Sequence, residues 1–251
     1  MKAVSVFAVC VAFVACAGTV RGAEITVSGA ASLTNAFTDV KAAFEAAHPD
    51  IHVATNFAAS NPLLQHMREG APVDVFASAD QDTMDRAGAE KLIDPATRRN
   101  FAANTLVLIV PVSGSGTAAI SGLADLHMAE RIAVGNPDSV PAGRYTRASL
   151  RAAGCWNALQ PRMVLGESVR QVLGYVSRGE VDAGFVYATD AFIARDSVRI
   201  VDTMSGHDPI LYPVAVAASA RDKAAARAFV EYLFSPEGRA ILAGYGFGEV
   251  R

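Results

Sequence analysis

The apolar positions Leu33, Ala36, Phe37, Val40 and Phe44 recur at helical spacing directly behind the β-rich run Ile25-Thr-Val-Ser-Gly29. A strand should therefore feed a helix there, with Ser32 standing where an N-cap belongs. Such a junction aims unpaired backbone N–H groups and the positive end of the helix dipole at one point, and a serine adds a hydroxyl donor. The chemistry that suits it is the holding of an anion.

The same arrangement recurs along the chain. Residues 51–57 read as a strand, followed by Ala58-Ala-Ser60-Asn-Pro62 and a helical run over 63–69 closed by Gly70. Pro62 suits a first helical turn, with Ser60 or Asn61 at the cap. Residues 73–77 form a third strand of the buried type, and 105–110 is the most continuous β run. A short strand at 132–134 leads through Pro141-Ala142-Gly143 to a helix over 146–153, and Pro141 and Gly143 let the backbone at Ala142 approach a ligand closely. Residues 163–165 lead through Gly166-Glu-Ser-Val169 to a helix over 171–177. A strand at 183–187 ends on Tyr187, one at 211–217 follows, and a long helix over 220–233 precedes the C-terminus.

Strands alternating with helices predict an α/β fold with mostly parallel sheets flanked by helices. The four small-residue junctions fall where strands run into helices, the edge at which open α/β sheets bind ligands. Two lie in the first third and two in the middle, so separate lobes would face one cleft.

With 251 residues, 51% hydrophobic and 19% charged, the chain can bury two modest cores. Its first residues carry Lys2, an apolar run to Ala17 and then small residues, the layout of a secretory signal. Cleavage after Gly22 would leave the first strand just inside the mature chain; Ala15-Cys-Ala17 is an earlier alternative. Phe13-Val-Ala-Cys16 resembles a lipoprotein box with Phe13 in place of leucine, which makes lipid anchoring at Cys16 a minority expectation. Loss of residues 1–22 removes Lys2 and Arg21, taking the formal charge from −3 to −5. An acidic protein without a basic stripe is not expected to bind nucleic acid, and any bound anion must be held by local dipoles.

Other chemistry is weakly represented. Cys155 would be unpaired in the mature chain and is expected to be a buried structural thiol. His48 and His52 have metal-like spacing, but Pro49 breaks the helix that would align them, and His66, His127 and His207 are isolated, so no metal site is expected. Asp80, Asp82 and Asp85 lack the glycine and glutamate spacing of a calcium loop and read as acids of a first helical turn. Gly114-Ser-Gly116 lacks the lysine of a phosphate loop and reads as a turn. Neither Ser32 nor Ser60 lies in a Gly-x-Ser-x-Gly elbow, so a serine hydrolase is a minor alternative and no enzyme activity or cofactor is expected.

The strings Ala30-Ala-Ser-Leu-Thr-Asn-Ala36, Phe57-Ala-Ala-Ser60, Asp74-Val-Phe-Ala-Ser-Ala-Asp-Gln81, Ala133-Val-Gly-Asn-Pro137 with Val140-Pro-Ala-Gly143, and Tyr212-Pro-Val-Ala-Val216 resemble the periplasmic molybdate-binding proteins of ABC importers. The likeness runs from about Glu24 to Phe247. It implies a two-lobed type II periplasmic binding protein fold, with residues 1–22 as signal peptide, 23–105 plus 214–251 as one lobe and 106–213 as the other. It further implies closure on molybdate or tungstate by a hinge near 105–110 and 211–216. Delivery to an inner-membrane ABC permease and its ATPase would follow, by a periplasmic carrier expected to be a monomer.

At matching positions the resemblance assigns the hydroxyl and N–H of Ser32 and Ser60, the backbone N–H groups of Ala142 and Val169, and the phenol of Tyr187. Ser168 is a substitute donor near Val169. These groups fit the charge state of the guest: molybdate and tungstate at neutral pH are fully deprotonated dianions, so a site of donors alone satisfies all four oxygens. Sulfate shares the charge and shape and differs in size. Phosphate would gain from an acceptor for its remaining proton, which Asp138 or Asp190 could provide, so both anions stay open.

Overall fold

The computed structural model describes residues 22–113 and 120–250. The expected export segment and the expected turn at Gly114–Gly116 lie outside them, apart from Gly22.

β1 (Ala23–Ala30) is the axis of the first half. It pairs in parallel with β2 (Ile51–Ala58) from Ala23↔Ile51 to Ala30↔Ala58, and with β3 (Val75–Ala77) on its other edge. The inner strands are apolar because both faces are covered. α1 (Thr34–Ala47) lays Phe37 and Phe44 against Phe229 of α8 (Lys223–Tyr232), with ring centroids 6.0 and 5.2 Å apart. On the opposite face α2 (Ser60–Arg68) and α3 (Gln81–Ala89) close a second core through Leu63, Leu64, Met67, Phe76 and Met84. Each such fully buried side chain contributes roughly 1.5–3 kcal/mol by leaving water. Helix α1 stops at His48, which leaves the helical conformation before Pro49; the His48 ring lies tilted against Phe44, centroids 4.5 Å apart.

The second half repeats the plan. β6 (Ile132–Gly135) lies between β7 (Met163–Gly166) and β8 (Ala183–Tyr187) in parallel pairing. β5 (Leu106–Pro111) and β9 (Val198–Thr203) complete that sheet, while β10 (Ile210–Val216) and β4 (Arg99–Asn104) complete the first. The orders are β2-β1-β3-β10-β4 and β7-β6-β8-β5-β9. In each sheet four strands share one direction and one is reversed, β10 in the first and β5 in the second. The mostly parallel expectation thus becomes a mixed sheet, for one reason: each reversed strand is the first to enter its sheet after the chain crosses from the other lobe.

Those crossings sit at Thr105 and at 204–209, between strands of different sheets. The expected boundary at 213 and the expected hinge over 211–216 are corrected accordingly, since β10 belongs wholly to the first sheet from Ile210 onward. Residues 106–110 likewise lie inside β5 and not in a hinge. β4 and β9 carry too many polar residues to stand out by periodicity.

Helix starts also move. Ser32 lies within a 3-10 turn, Ala31–Leu33, and is not an N-cap. α2 begins at Ser60 itself, with Ala59 at the cap. α4 (Pro141–Ala152) and α6 (Val169–Ser177) begin earlier than their apolar periodicity indicates, at Pro141 and Val169, and α8 begins later, at Lys223. Gly143 is required by packing: a Cβ there would lie 1.9 Å from the Gly135 carbonyl oxygen. Among the described residues no helix is long and apolar enough to cross a membrane.

Candidate functional site

Ser32 follows β1 and Ser60 follows β2; Ala142 follows β6 and Val169 follows β7. In the two sheet orders β1 and β6 occupy equivalent places, as do β2 and β7, so the four residues form two matched pairs, one pair from each lobe. Tyr187 ends β8. All five line one small space between the lobes, together with small or aliphatic neighbours such as Ala31, Ala59, Ala79 and Pro141. No charged side chain lines it. Larger depressions, such as the one of about 580 Å³ beside Phe101, Phe234 and Phe247, stand apart from these junctions.

Two of the helices that start at this space, and the 3-10 turn beside them, lack a side-chain cap. Ala59, Val140 and Ala30 stand at the caps of α2, α4 and the 3-10 turn, and none of them supplies a side-chain cap. By contrast α3, α6, α8 and α9 (Pro236–Gly244) are capped by Asp80, Ser168, Asp222 and Ser235. First-turn N–H groups have no intrahelical acceptor. Ser32, Ser60 and Ala142 lie in such first turns, start without a side-chain cap and line the space, an arrangement able to hold an anion. Ser168 Oγ accepts the Gln171 N–H at 3.2 Å, and of this loop Val169 lines the space while Ser168 does not.

The hydroxyls are polarised by their neighbours. Ser60 Oγ accepts from the Ala79 N–H at 3.0 Å, leaving its own hydrogen for the cavity. Ser32 Oγ lies 2.9 Å from the Tyr212 hydroxyl, which in turn accepts from Asn104 Nδ2 at 3.2 Å. Tyr187 is 1% exposed, and its hydroxyl has no hydrogen-bond partner. Burial pushes the phenols of Tyr187 and Tyr212 well above the ordinary value of 10, so both stay protonated and able to donate.

Around this space the lobes grip each other. Arg144 of α4 donates from Nε to Asp80 Oδ2 at 2.8 Å and from its Nη2 to Thr83 Oγ1 at 2.8 Å. Arg170 of α6 donates to Asn35 Oδ1 at 2.7 Å and to the Ser32 carbonyl at 3.0 Å, while its Nε lies 2.7 Å from Asp190. Asn61 donates to the Asp138 carbonyl at 2.8 Å. Both guanidinium groups are thus engaged with protein acceptors, and neither arginine lines the space.

Asp190 is fully buried and accepts the Tyr187 N–H at 3.2 Å; desolvation, opposed by Arg170, pushes its carboxyl up to about 6. Neither carboxylate considered as a proton acceptor for phosphate lines the space: Asp190 is buried beside Arg170, and Asp138 lies on the surface with Arg147 at 3.4 Å. Periodicity singled out none of Tyr212, Asn104, Arg144 or Asp190 as part of this assembly. Tyr212 lay inside a string that carried the family resemblance, without a role. Cys155 is half-buried, not buried, with Sγ 3.6 Å from the Leu150 carbonyl.

Two matched lobes closing donors on one small cavity define a solute-binding protein. The chain belongs to the bacterial extracellular solute-binding proteins, whose family model matches residues 25–248. It is similar to the molybdate-binding protein ModA of Escherichia coli K12, 38% identical over 237 residues that cover 89% of this chain and 88% of that one. It is 33% identical to the molybdate-binding protein ModA of Haemophilus influenzae, over 90% of each chain. Among solved structures, the periplasmic molybdate-binding protein of Azotobacter vinelandii superposes with a TM-score of 0.77 at 23% identity. That match covers 91% of this chain and all of that one, and at this identity it speaks for the fold.

Proposed function

We propose that this chain is the periplasmic solute-binding component of an ABC importer that captures molybdate or tungstate and hands it to a membrane permease and its ATPase. The observation that carries this reading is the unpartnered hydroxyl of Tyr187, buried to 1% exposure against a cavity whose other polar groups are serine hydroxyls and helix-start N–H groups. A buried unpaired hydroxyl costs roughly 1–3 kcal/mol, a cost that an anion accepting its hydrogen removes. A dianion with four acceptor oxygens suits such a ring, which uses fixed dipoles in a water-poor space and no cation. The names of the E. coli and H. influenzae relatives support molybdate as the guest.

The protein acts as a carrier and not as a catalyst: neither serine has a histidine at its hydroxyl, Ser32 facing Tyr212 and Ser60 the Ala79 N–H. It works as a monomer without a cofactor. Residues 1–22 direct export, with lipidation at Cys16 as the lesser alternative.

The test is a thermal-shift series with molybdate, tungstate, sulfate and phosphate at matched ionic strength. A guest at a hundred times its dissociation constant stabilises by roughly 2.7 kcal/mol. Molybdate and tungstate should raise Tm most. Equal shifts with sulfate would end the claim that cavity size selects the guest, and release of product from a generic ester would end the carrier reading.

A further inference from the structure

We propose that Asn104, acting through Tyr212, locks Ser32 as a donor and so sets the preference of the cavity for fully deprotonated oxyanions over those that keep a proton. This rests on reading the cavity as an oxyanion site. The amide of Asn104 is oriented from three directions: its Oδ1 accepts the Thr105 N–H at 2.9 Å, and its Nδ2 donates to Thr189 Oγ1 at 2.9 Å and to the Tyr212 hydroxyl at 3.2 Å. The phenolic oxygen of Tyr212 therefore receives a hydrogen, and its own hydrogen has Ser32 Oγ, 2.9 Å away, as its partner. Ser32 receives that hydrogen in turn, so its own hydroxyl hydrogen is left for the guest.

A guest bearing O–H would need one lining group to accept instead. Ser32 could do so only by stranding its hydrogen, because the Tyr212 oxygen is already taken. Ser60 is held the same way, through the backbone N–H of Ala79. Tyr187 has a single hydrogen and no protein partner for it, so that hydrogen too must face the guest. The polarity of the whole ring traces back to one side-chain amide and one peptide group. Only the amide is open to substitution.

Asn104 is also the last residue of β4, next to the first crossing between lobes, and it ties β10 to the start of α7 (Ala188–Ile193). The donor lock is thus built at the hinge, outside the cavity lining. Asn104 and Tyr212 are positioning residues for Ser32.

Asn104→Asp tests this, because a carboxylate accepts where the amide donated. The Tyr212 hydrogen then turns to residue 104, Tyr212 accepts from Ser32, and Ser32 presents a lone pair to the guest. Dissociation constants for sulfate, molybdate and phosphate are measured by calorimetry at mildly alkaline pH, where phosphate is the hydrogenphosphate dianion. The added charge weakens all three dianions alike, so the readout is the ratio of phosphate to sulfate affinity. That ratio should rise roughly tenfold, the equivalent of one hydrogen bond to a charged group. Asn104→Ala removes the donation without adding charge and should move the ratio the same way by less.

The shift should vanish when Asn104→Asp is combined with Tyr212→Phe, which cuts the relay. A proportional loss for all three anions, or a shift that survives in the Tyr212→Phe background, overturns the proposal. Failure of the wild type to prefer molybdate over sulfate would overturn the molybdate reading alone, because the phosphate-to-sulfate ratio tests the lock independently.

Discussion

The rings of Tyr187 and Tyr212 meet edge to face, with centroids 5.8 Å apart and planes at 66°. One comes from the second sheet and the other from the first, so the pair bridges the two lobes at the floor of the cleft. Their hydroxyls have opposite fates. That of Tyr212 is held by Ser32 and Asn104, while that of Tyr187 is buried without a partner.

This contrast makes Tyr187→Phe a substitution with effects of opposite sign. The empty protein loses a buried hydroxyl that nothing satisfies, so it should become more stable by about 1 kcal/mol. The loaded protein loses a donor to a charged guest, so molybdate affinity should fall roughly ten- to hundredfold. Urea denaturation without ligand and calorimetric titration with molybdate measure the two effects. A loss of stability in the empty protein would mean that the hydroxyl has a partner there.

Ser32→Ala removes the other side-chain donor of that neighbourhood. Affinity should drop roughly ten- to hundredfold, because the guest keeps its desolvation cost and loses one charge-assisted bond. The empty protein should also lose stability here, since the Tyr212 hydrogen is left without its acceptor 2.9 Å away. Ser32→Ala and Tyr187→Phe should therefore differ in sign in the empty protein and agree in the loaded one. Parallel melting curves with and without molybdate decide this.

The two lobes were legible in the sequence wherever structure is local. The alternation of β runs and helical periodicity marked eight of the ten strands among the described residues, and small residues after β1, β2, β6 and β7 marked positions that line one space. What escaped was of two kinds. β4 and β9 mix Arg, Asn and Asp with apolar residues, so their partners in the sheet decide their state and local pattern does not. The supporting residues escaped because their contacts span the chain: Ser32 to Tyr212 is separated by 180 positions, and Arg170 to the Ser32 carbonyl by 138. Arg170 reads as a solvated helix residue from its neighbours alone, yet it joins both lobes. Even the placing of Ser60, Ala142 and Val169 leaned on family resemblance, since the apolar period of α4 and α6 begins several residues later than the helices do.

Arg144→Ala should act on closure and not on the choice of guest. The side chain reaches from α4 to Asp80 and Thr83 of the opposite lobe, and Asp80 is 3% exposed in this closed arrangement. Removing one member of a buried pair penalises the state that buries the other. That state is the closed one, because lobe opening would return Asp80 to water. Molybdate should then dissociate faster by roughly tenfold or more, with the molybdate-to-sulfate ratio unchanged. Stopped-flow release into excess tungstate measures the rate. An altered anion ratio would place Arg144 in the recognition of the guest.

Asp190 gives the protein a pH dependence of its own. The side chain is fully buried, and desolvation lifts its carboxyl from the ordinary 3.8 to about 6, outweighing the opposing pull of Arg170 and the Tyr187 N–H. Between those values the folded protein holds a proton that the unfolded chain has released, so stability falls as pH rises through the window. The contribution is complete below 3.8 and gone above about 6, and its scale is about 3 kcal/mol. Asp190→Asn resembles the protonated acid and cannot titrate, so wild type and variant should be most nearly matched below 3.8 and diverge in favour of the variant as the pH rises towards about 6. Urea denaturation of both proteins across this range reads the difference directly. A wild type that instead gains on the variant as the pH rises would mean that the Arg170 pair, and not burial, governs the carboxyl.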